Sequence, residues 1–388
     1  MYVGIDVSKE KFDACGIGDE GKKIFSVSCS MNREGFEKFV VQLTARSTAS
    51  LLLGMESTAS YPIALFSYLT AKGYRVASIN PLLIANFAKL SLRKTKTDQK
   101  DAFTIAQFLL RKEALATASF RLTELKDLSR RRERLVDQMT SLKNDMKRIL
   151  SVTFPELETI TGIFTKSTLR LLTEFPSAHA IGKAGHDALA TIVISRSRGR
   201  KSSASVQALM DAATTSVGVA SPAKDLILKQ EAALLRELEG QAEEIMKLII
   251  DLSGEKIKRD AKILTSMRGI GDKTAFNFLI EMGGDIKAFE HDRKLIAAAG
   301  LDPTTYESGK YKGKSKISKR GNRHLRRVIW LMTTKVIINN QVFRTYYFKR
   351  RKEGLIYKMA VLATAHKLIR VMFSMLVNQK CFEPERRN

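Results

Sequence analysis

Short apolar runs bounded by turn residues predict strands at Tyr2–Val7, 12–17 and 24–29, with Gly18, Asp19, Glu20 and Gly21 forming a hairpin loop. Apolar positions at helical spacing predict helices over 33–43 and Pro62–Ala71. The stretches 51–55 and Arg75–Ile79 read as strands, the first of them buried. Beyond Asp98 the pattern turns helical. From Leu125 the positions Leu128, Leu135, Met139, Leu142, Met146 and Ile149 keep a three-four spacing broken at Arg132, which predicts one long helix with an apolar seam. Leu234, Leu238, Ile245, Leu248 and Leu252 form a second seam with a gap at Gln241. The two seams suit a coiled coil, within one chain or between chains, and equally two amphipathic helices of one bundle. Between them, 155–222 holds helical fragments and a basic run at 195–201 that reads as an exposed loop, either a nucleic-acid contact or simply solvated surface. From Lys258 to about Leu376 the chain reads as helical with glycine punctuation, and its last dozen residues as a frayed tail.

Three antiparallel strands followed by alternating helices and strands is a ribonuclease-H-like order, so the fold class is an α/β domain followed by helical ones. At 388 residues the chain exceeds what one hydrophobic core usually serves. Charge sharpens the division. The 66 Lys and Arg against 40 Asp and Glu give a net charge of +26, which calls for a polyanion, and nucleic acid is the obvious one. Residues 1–90 hold 10 basic and 8 acidic side chains, whereas residues 301–388 hold 21 basic and 5 acidic. An acidic-site domain followed by a phosphate-binding one fits that asymmetry. A membrane surface also attracts positive charge, but no apolar run reaches the roughly 18 residues that span a bilayer, and no signal-peptide pattern opens the chain. Cys15, Cys29 and Cys381 show no paired spacing, which points to a reducing cytoplasm without structural zinc.

Candidate chemistry begins with acids. Asp6 follows the first apolar strand and Glu56 follows 51–55, where a buried carboxylate is unfavourable unless a cation pairs it. Asp98 and Asp101 stand three apart on one helical face. Four carboxylates suit two hard divalent cations, Mg²⁺ or Mn²⁺, that activate an attacking oxygen and stabilise a leaving one. Taken singly, Asp98 reads as a helix cap and Asp6 as a turn residue; their order along the strand pattern favours the metal site.

A second constellation, Arg268-Gly269-Ile270-Gly271-Asp272-Lys273, looks like a helix-hairpin-helix, in which glycine backbone and the N–H groups opening a helix hold a phosphate. A glycine-capped helical turn would look the same. A third runs from Gly300-Leu301-Asp302-Pro303 through Tyr306-Glu307-Ser308-Gly309-Lys310 to Lys319, Arg320, Arg323, His324, Arg326 and Arg327. Its guanidinium groups suit a phosphoryl transition state. Read from the residues alone, Ser308 is a loop serine, and Arg323, His324 and Arg326 fit equally a recombinase with Tyr346 or Tyr347 as nucleophile. That alternative leaves the four acids unexplained.

With these motifs in order, the chain resembles the DEDD transposases of the insertion-sequence one-ten family, whose relatives include Piv-type DNA invertases. The motifs that carry the resemblance are Gly4-Ile5-Asp6-Val7-Ser8-Lys9, Glu56-Ser57-Thr58-Ala59-Ser60-Tyr61, Ile79-Asn80-Pro81, Lys96-Thr97-Asp98-Gln99-Lys100-Asp101-Ala102, Gly269-Ile270-Gly271, Gly300-Leu301-Asp302-Pro303, Tyr306-Glu307-Ser308-Gly309 and Ser318-Lys319-Arg320-Gly321. The resemblance implies a RuvC-like metal domain at 1–152 with Asp6, Glu56, Asp98 and Asp101 as Mg²⁺ ligands. It implies a helical coiled-coil region at 153–257 and a C-terminal transposase domain at 258–388 with Ser308 as catalytic serine. It further implies double-stranded DNA at element ends and target, a noncoding bridge-type guide RNA, and a homo-oligomer, dimer or tetramer, whose subunits share composite sites. The segment 155–222 makes this chain longer than compact members. An invertase or junction-resolving nuclease without RNA is the nearest alternative. A basic architectural protein without activity would make the four acids a coincidence.

Overall fold

The structure is a computed structural model that describes residues 1–46, 51–56, 61–79, 84, 87, 98–111, 120–194, 203–304, 307–308, 311–312 and 316–383, with the backbone alone at 98, 99, 120, 121, 304, 307, 308, 311 and 312. The basic run at 195–201 lies outside the described residues. Two compact units divide the chain, Met1–Glu124 and Leu125–Asn388.

The first unit is built on one five-stranded sheet of β1 (Tyr2–Val7), β2 (Lys11–Ile17), β3 (Lys23–Ser30), β4 (Leu52–Glu56) and β5 (Arg75–Ile79), in the order β3-β2-β1-β4-β5. β1 pairs antiparallel with β2 and β2 with β3, while β4 runs parallel to both β1 and β5. Because strand side chains alternate between faces, each strand supplies two cores. Val3, Ile5, Phe12, Ala14, Leu53 and Met55 face α1 (Arg33–Thr44) and α2 (Pro62–Ala71), where the Phe12 and Phe39 rings meet edge to face at 5.2 Å. Helix α1 starts where Asn32 Oδ1 accepts a hydrogen bond from the Gly35 N–H at 2.9 Å. The opposite face is covered by α3 (Asp98–Arg111), whose Ala102, Ile105, Ala106 and Leu109 pack on Cys15, Ile17, Leu52 and Ala77. Gly4 sets that packing distance. A Cβ on Gly4 would stand 2.1 Å from the Ala102 carbonyl oxygen and 2.8 Å from the Ile105 Cβ, so only glycine lets the helix approach this closely.

The second unit is helical apart from one small β excursion. Helix α4 (Phe120–Thr153) leads into α5 (Leu157–Ile160), α6 (Lys166–Glu174), α7 (Ala178–Lys183), α8 (His186–Val193) and α9 (Ser203–Thr214), and α10 (Pro222–Leu252) returns. The short helices form a core with one end of each long helix, burying Met146 and Leu150 against Leu169, Leu172, Leu228 and Leu235. Further along, Leu135 meets Leu238 and Ala242, and Lys143 pairs with Glu239 at 3.4 Å, so the two long helices pair within one chain. The buried stripe of α10 differs from the expected seam. Leu228, Ala232, Leu235, Leu238, Ala242, Met246 and Ile249 are buried, whereas Leu234 and Leu248 are 46% and 43% exposed. Alanines at 232 and 242 complete the buried stripe, and counting only large residues misplaces it.

A second core joins α11 (Glu255–Thr265), α12 (Asp272–Met282), α13 (Asp292–Ala298), α14 (Arg323–Asn339), α15 (Gln341–Lys352) and α16 (Tyr357–Asn378). Instead of continuous helix, the stretch before α14 carries two-residue strands, β6 (Pro303–Thr304), β7 (Glu307–Ser308), β8 (Tyr311–Lys312) and β9 (Lys316–Ile317). Helix α16 is long and apolar enough to cross a membrane, yet Ala365, Leu368, Ile369, Met372 and Leu376 are buried in this core. The expected frayed tail is partly fixed. The Phe382 N–H donates to Ser266 Oγ at 2.8 Å, and the Phe382 ring lies 6.3 Å from Phe343. Cys15 and Cys29 are core residues, while Cys381 is exposed.

Candidate active site

In the first unit the strand register gathers acids. Ile5 pairs with Met55, so Asp6 and Glu56 occupy the next positions on adjacent parallel strands, which lie about 4.8 Å apart. Asp6 shares the face of Gly4, and Glu56 that of Gly54, which approaches Leu109 of α3. Both therefore stand on the α3 side of the sheet. Asp101 sits in the first turn of that helix, beside the Ala102 carbonyl that touches Gly4. Asp98 opens α3; its side chain lies outside the described residues. Asp6, Glu56 and Asp101 are each half-buried.

A further acid, outside the sequence motifs, joins this face. Asp13 is directly opposite Asp6 in the β1–β2 ladder, is only 3% exposed, and pairs with the Lys11 ammonium at 3.2 Å. Residues opposite one another in a ladder share a face, so Asp13 also lies on the α3 side. Like charges this close repel unless cations neutralise them. The donor set is all oxygen, as a hard divalent cation requires. Among the described residues, no three acids, histidines or cysteines already stand close enough to enclose a metal ion.

The second unit carries the serine and the cations. Asp302 and Ser318 clasp the foot of the β excursion: the Ser318 N–H donates to the Asp302 carbonyl at 2.9 Å and its hydroxyl to the Asp302 carboxylate. Above that clasp β6 pairs with β9, and Ser308 pairs with Tyr311 at the end of a β7–β8 hairpin. Ser308 thus ends a strand at a hairpin tip. Its side chain, and Gly309 and Lys310 with it, lie outside the described residues.

The glycine turn between α11 and α12 has two faces. Gly269, at φ 105°, packs against the backbone of Lys335 and Val336 in α14, whereas Gly271 faces open space and leaves the start of α12 without a side-chain cap. Arg268 and Lys273 on either side are exposed. Lys319, Arg320 and Arg323 are exposed too. Arg326 and Arg327 have internal partners. Arg326 Nη1 donates to the Ala299 carbonyl at 2.9 Å, and Arg327 bonds Glu133 at 2.9 Å and Asp137. The Arg327 hydrogen bond holds the Asp137 carboxyl below its usual range. His324 Nδ1 meets Glu133 Oε2 at 2.6 Å. The Tyr346 hydroxyl is held by Arg350 Nε at 3.0 Å. His324 and Arg326 therefore hold α4 and the end of α13 against α14.

Beneath α14 lies a buried network. Arg130 grips Glu281 with two hydrogen bonds of 3.0 and 3.1 Å, and Asn322 Nδ2 donates to the same carboxylate at 2.7 Å. Asn322 Oδ1 simultaneously caps α14, accepting from the His324 and Leu325 N–H groups. Burial alone would raise the Glu281 carboxyl, but Arg130 and Asn322 outweigh it and hold it low. Arg132, the gap in the α4 seam, has a buried Nε without a hydrogen-bond partner, and burial lowers its affinity for the proton.

Two family models match the chain. One, described as a transposase of the DEDD IS110 type, covers residues 3–155; the other, described as a transposase of the IS116/IS110/IS902 family, covers 261–348. Together they take in more than half of the chain and both sites above. The chain belongs to the IS110/IS116/IS902 transposase family. It is accordingly an enzyme, a DNA transposase or recombinase. A 44.8 kDa protein of insertion element IS116 from Streptomyces clavuligerus is 26% identical over 99% of this chain and 96% of its own length. The transposase for insertion sequence element IS1111A of Coxiella burnetii is 24% identical over 98% and 90%. The pilin gene-inverting protein of Moraxella bovis is 21% identical over 98% and 97%. The family matches leave 156–260 between them uncovered, so all of α5 to α10 is held by neither.

Proposed function

We propose that this transposase cuts and rejoins donor and target double-stranded DNA under the guidance of a noncoding bridge-type RNA. The metal region is 1–152, the helical region 153–257 and the serine region 258–388. The observation that carries the reading is the placement of Asp6 and Glu56 side by side on the sheet face that α3 covers, with Asp101 in the first turn of that helix. Asp6, Glu56, Asp98 and Asp101 would hold Mg²⁺ or Mn²⁺, and Asp13 behind them adds negative charge that favours a cation. Bound there, the metal supplies Lewis acidity toward phosphate oxygens and lowers the pKa of an attacking hydroxyl. Ser308 attacks the phosphorus, its proton passes to a base, a serine phosphodiester forms and a sugar hydroxyl leaves. Rejoining reverses these bonds with a different sugar hydroxyl. Arg268, Lys273, Lys310, Lys319, Arg320 and Arg323 contact phosphates, with the open backbone at Gly271 beside them and Gly269 setting the turn that presents it.

The exposed Ile227, Leu234 and Leu248 of α10 fall in one seven-residue register that Gln241 interrupts, which suits a second copy of the helix and hence a dimer or tetramer with composite sites. In the test, Asp6→Asn and Ser308→Ala each abolish recombination while nucleic-acid binding persists, and mixed oligomers of the two regain part of the activity. Full activity of Asp6→Asn, or an adduct mapped to Tyr346 or Tyr347, refutes the assignment. A guide-free invertase is a second reading, favoured by the full-length match to the pilin gene-inverting protein.

A further inference from the structure

We propose that a cleft in the second unit receives one base unstacked from the DNA strand that Ser308 attacks, with Trp330 as its stacking platform. The inference rests on the reading of Ser308 as nucleophile. The cleft holds about 700 Å³, within the range of small-ligand sites. Its apolar part is Trp330, Leu331, Met359, Leu362 and Ile317, and Leu331 and Met359 remain 45% and 43% exposed. Around them stand Lys316, Lys319, Arg323, Arg326 and Lys358. No carboxylate lines the cleft among the described residues. Apolar surface this open within a ring of cations matches a nucleotide, which joins a flat apolar ring to an anionic backbone. Aromatic stacking in a basic groove is how proteins hold unpaired bases.

The wall of the cleft is also the foot of the serine hairpin. Pro303 of β6 and Ile317 of β9 line it, and Ser308 follows Pro303 by five residues. An extended chain of that length reaches about 17 Å, the span of about five stacked nucleotides. A strand whose phosphate meets Ser308 can therefore place a nearby base on Trp330. Extruding that base loosens the duplex where strands must exchange, and it demands single-strand character at the cut.

Trp330 is the only tryptophan in the chain, so its emission reads the cleft directly. The full-length protein is titrated with oligothymidine and with the same strand annealed to its complement. Saturable quenching by the single strand, and little by the duplex, is expected. Trp330→Ala should weaken single-strand binding about 5- to 150-fold, while Trp330→Phe stays close to wild type. On cleavage substrates, an abasic residue near the cut should mimic Trp330→Ala, and the two together should cost no more than either alone. Lys358→Glu provides a variant that leaves the packed core untouched and should weaken binding. Equal quenching by duplex, independent losses from the abasic residue and Trp330→Ala, or quenching by oligouridine alone overturns the proposal. If quenching occurs while Ser308→Ala still cleaves, the base site stands and the serine assignment fails. Cleavage that depends on Ser308 without any quenching has the opposite meaning.

Discussion

Replacing Glu281 by Gln removes one charge from the network that joins α4, α12 and the cap of α14. The side chain is 3% exposed, and Arg130 opposite it is 34% exposed. Deleting one partner of a fully buried ion pair costs about 3 to 5 kcal/mol because the other charge is stranded. Here water reaches Arg130, and the Gln oxygen still accepts one hydrogen bond, so the expected loss is nearer about 2 to 3 kcal/mol. For a unit of this size that corresponds to a fall in Tm of roughly 5 to 10 °C.

The pH dependence follows from the direction of the shift. The Glu281 carboxyl is held low in the folded chain, so its contribution is present above the unfolded value of about 4.3 and disappears as pH falls through the folded one. Urea unfolding followed by Trp330 emission reads this unit selectively, because Trp330 lies on α14. Wild type and Glu281→Gln should differ at pH 7, keep that difference down to about pH 4.3, and converge only as the pH falls further, through the folded value. A difference under about 0.5 kcal/mol at pH 7, or one that persists unchanged in acid, refutes the claim that the charge holds these helices together.

Two further outcomes follow. Nuclease treatment of the purified protein should remove a protected RNA and with it recombination, and RNA affinity should fall steeply between low and physiological salt; undiminished activity after digestion supports the guide-free reading. Leu234→Glu with Leu248→Glu should lower the oligomeric state in sedimentation with little loss of Tm, since both side chains are about half exposed; an unchanged oligomer means assembly uses another surface.

How much the sequence disclosed depended on what covers each face. The strands over 2–7 and 75–79 and the helices over 33–43 and 62–71 were legible to within a residue, because short apolar runs ended by turn residues leave few alternatives. Asp13 was not. Between Phe12 and Ala14 it has the alternation of an outward polar residue, and only α3 turns that outward face into an interior. The signal was present in Gly4 and Gly54, glycines inside strands that mark a close neighbour on that side. The α10 stripe was misplaced because alanine is weak evidence for burial in a pattern of leucines. From the sequence Ser308 is a loop serine, since two-residue strands have no period to detect.

The glycines and the acids are one arrangement. Gly4 is two residues before Asp6 and Gly54 two before Glu56, so each glycine stands on the same face as the acid that follows it. Absent side chains draw α3 against the sheet at that level, and the same alternation puts Asp6 and Glu56 on the sheet face that this helix covers, the helix whose first turn carries Asp101. A larger residue at Gly4 would lift α3 and widen the separation between the strand acids and the helix acids together. The carboxylates are therefore positioned by residues with no chemistry of their own. The approach of α3 to the strand acids is fixed at Gly4, where the backbone of Ala102 leaves no room for a Cβ.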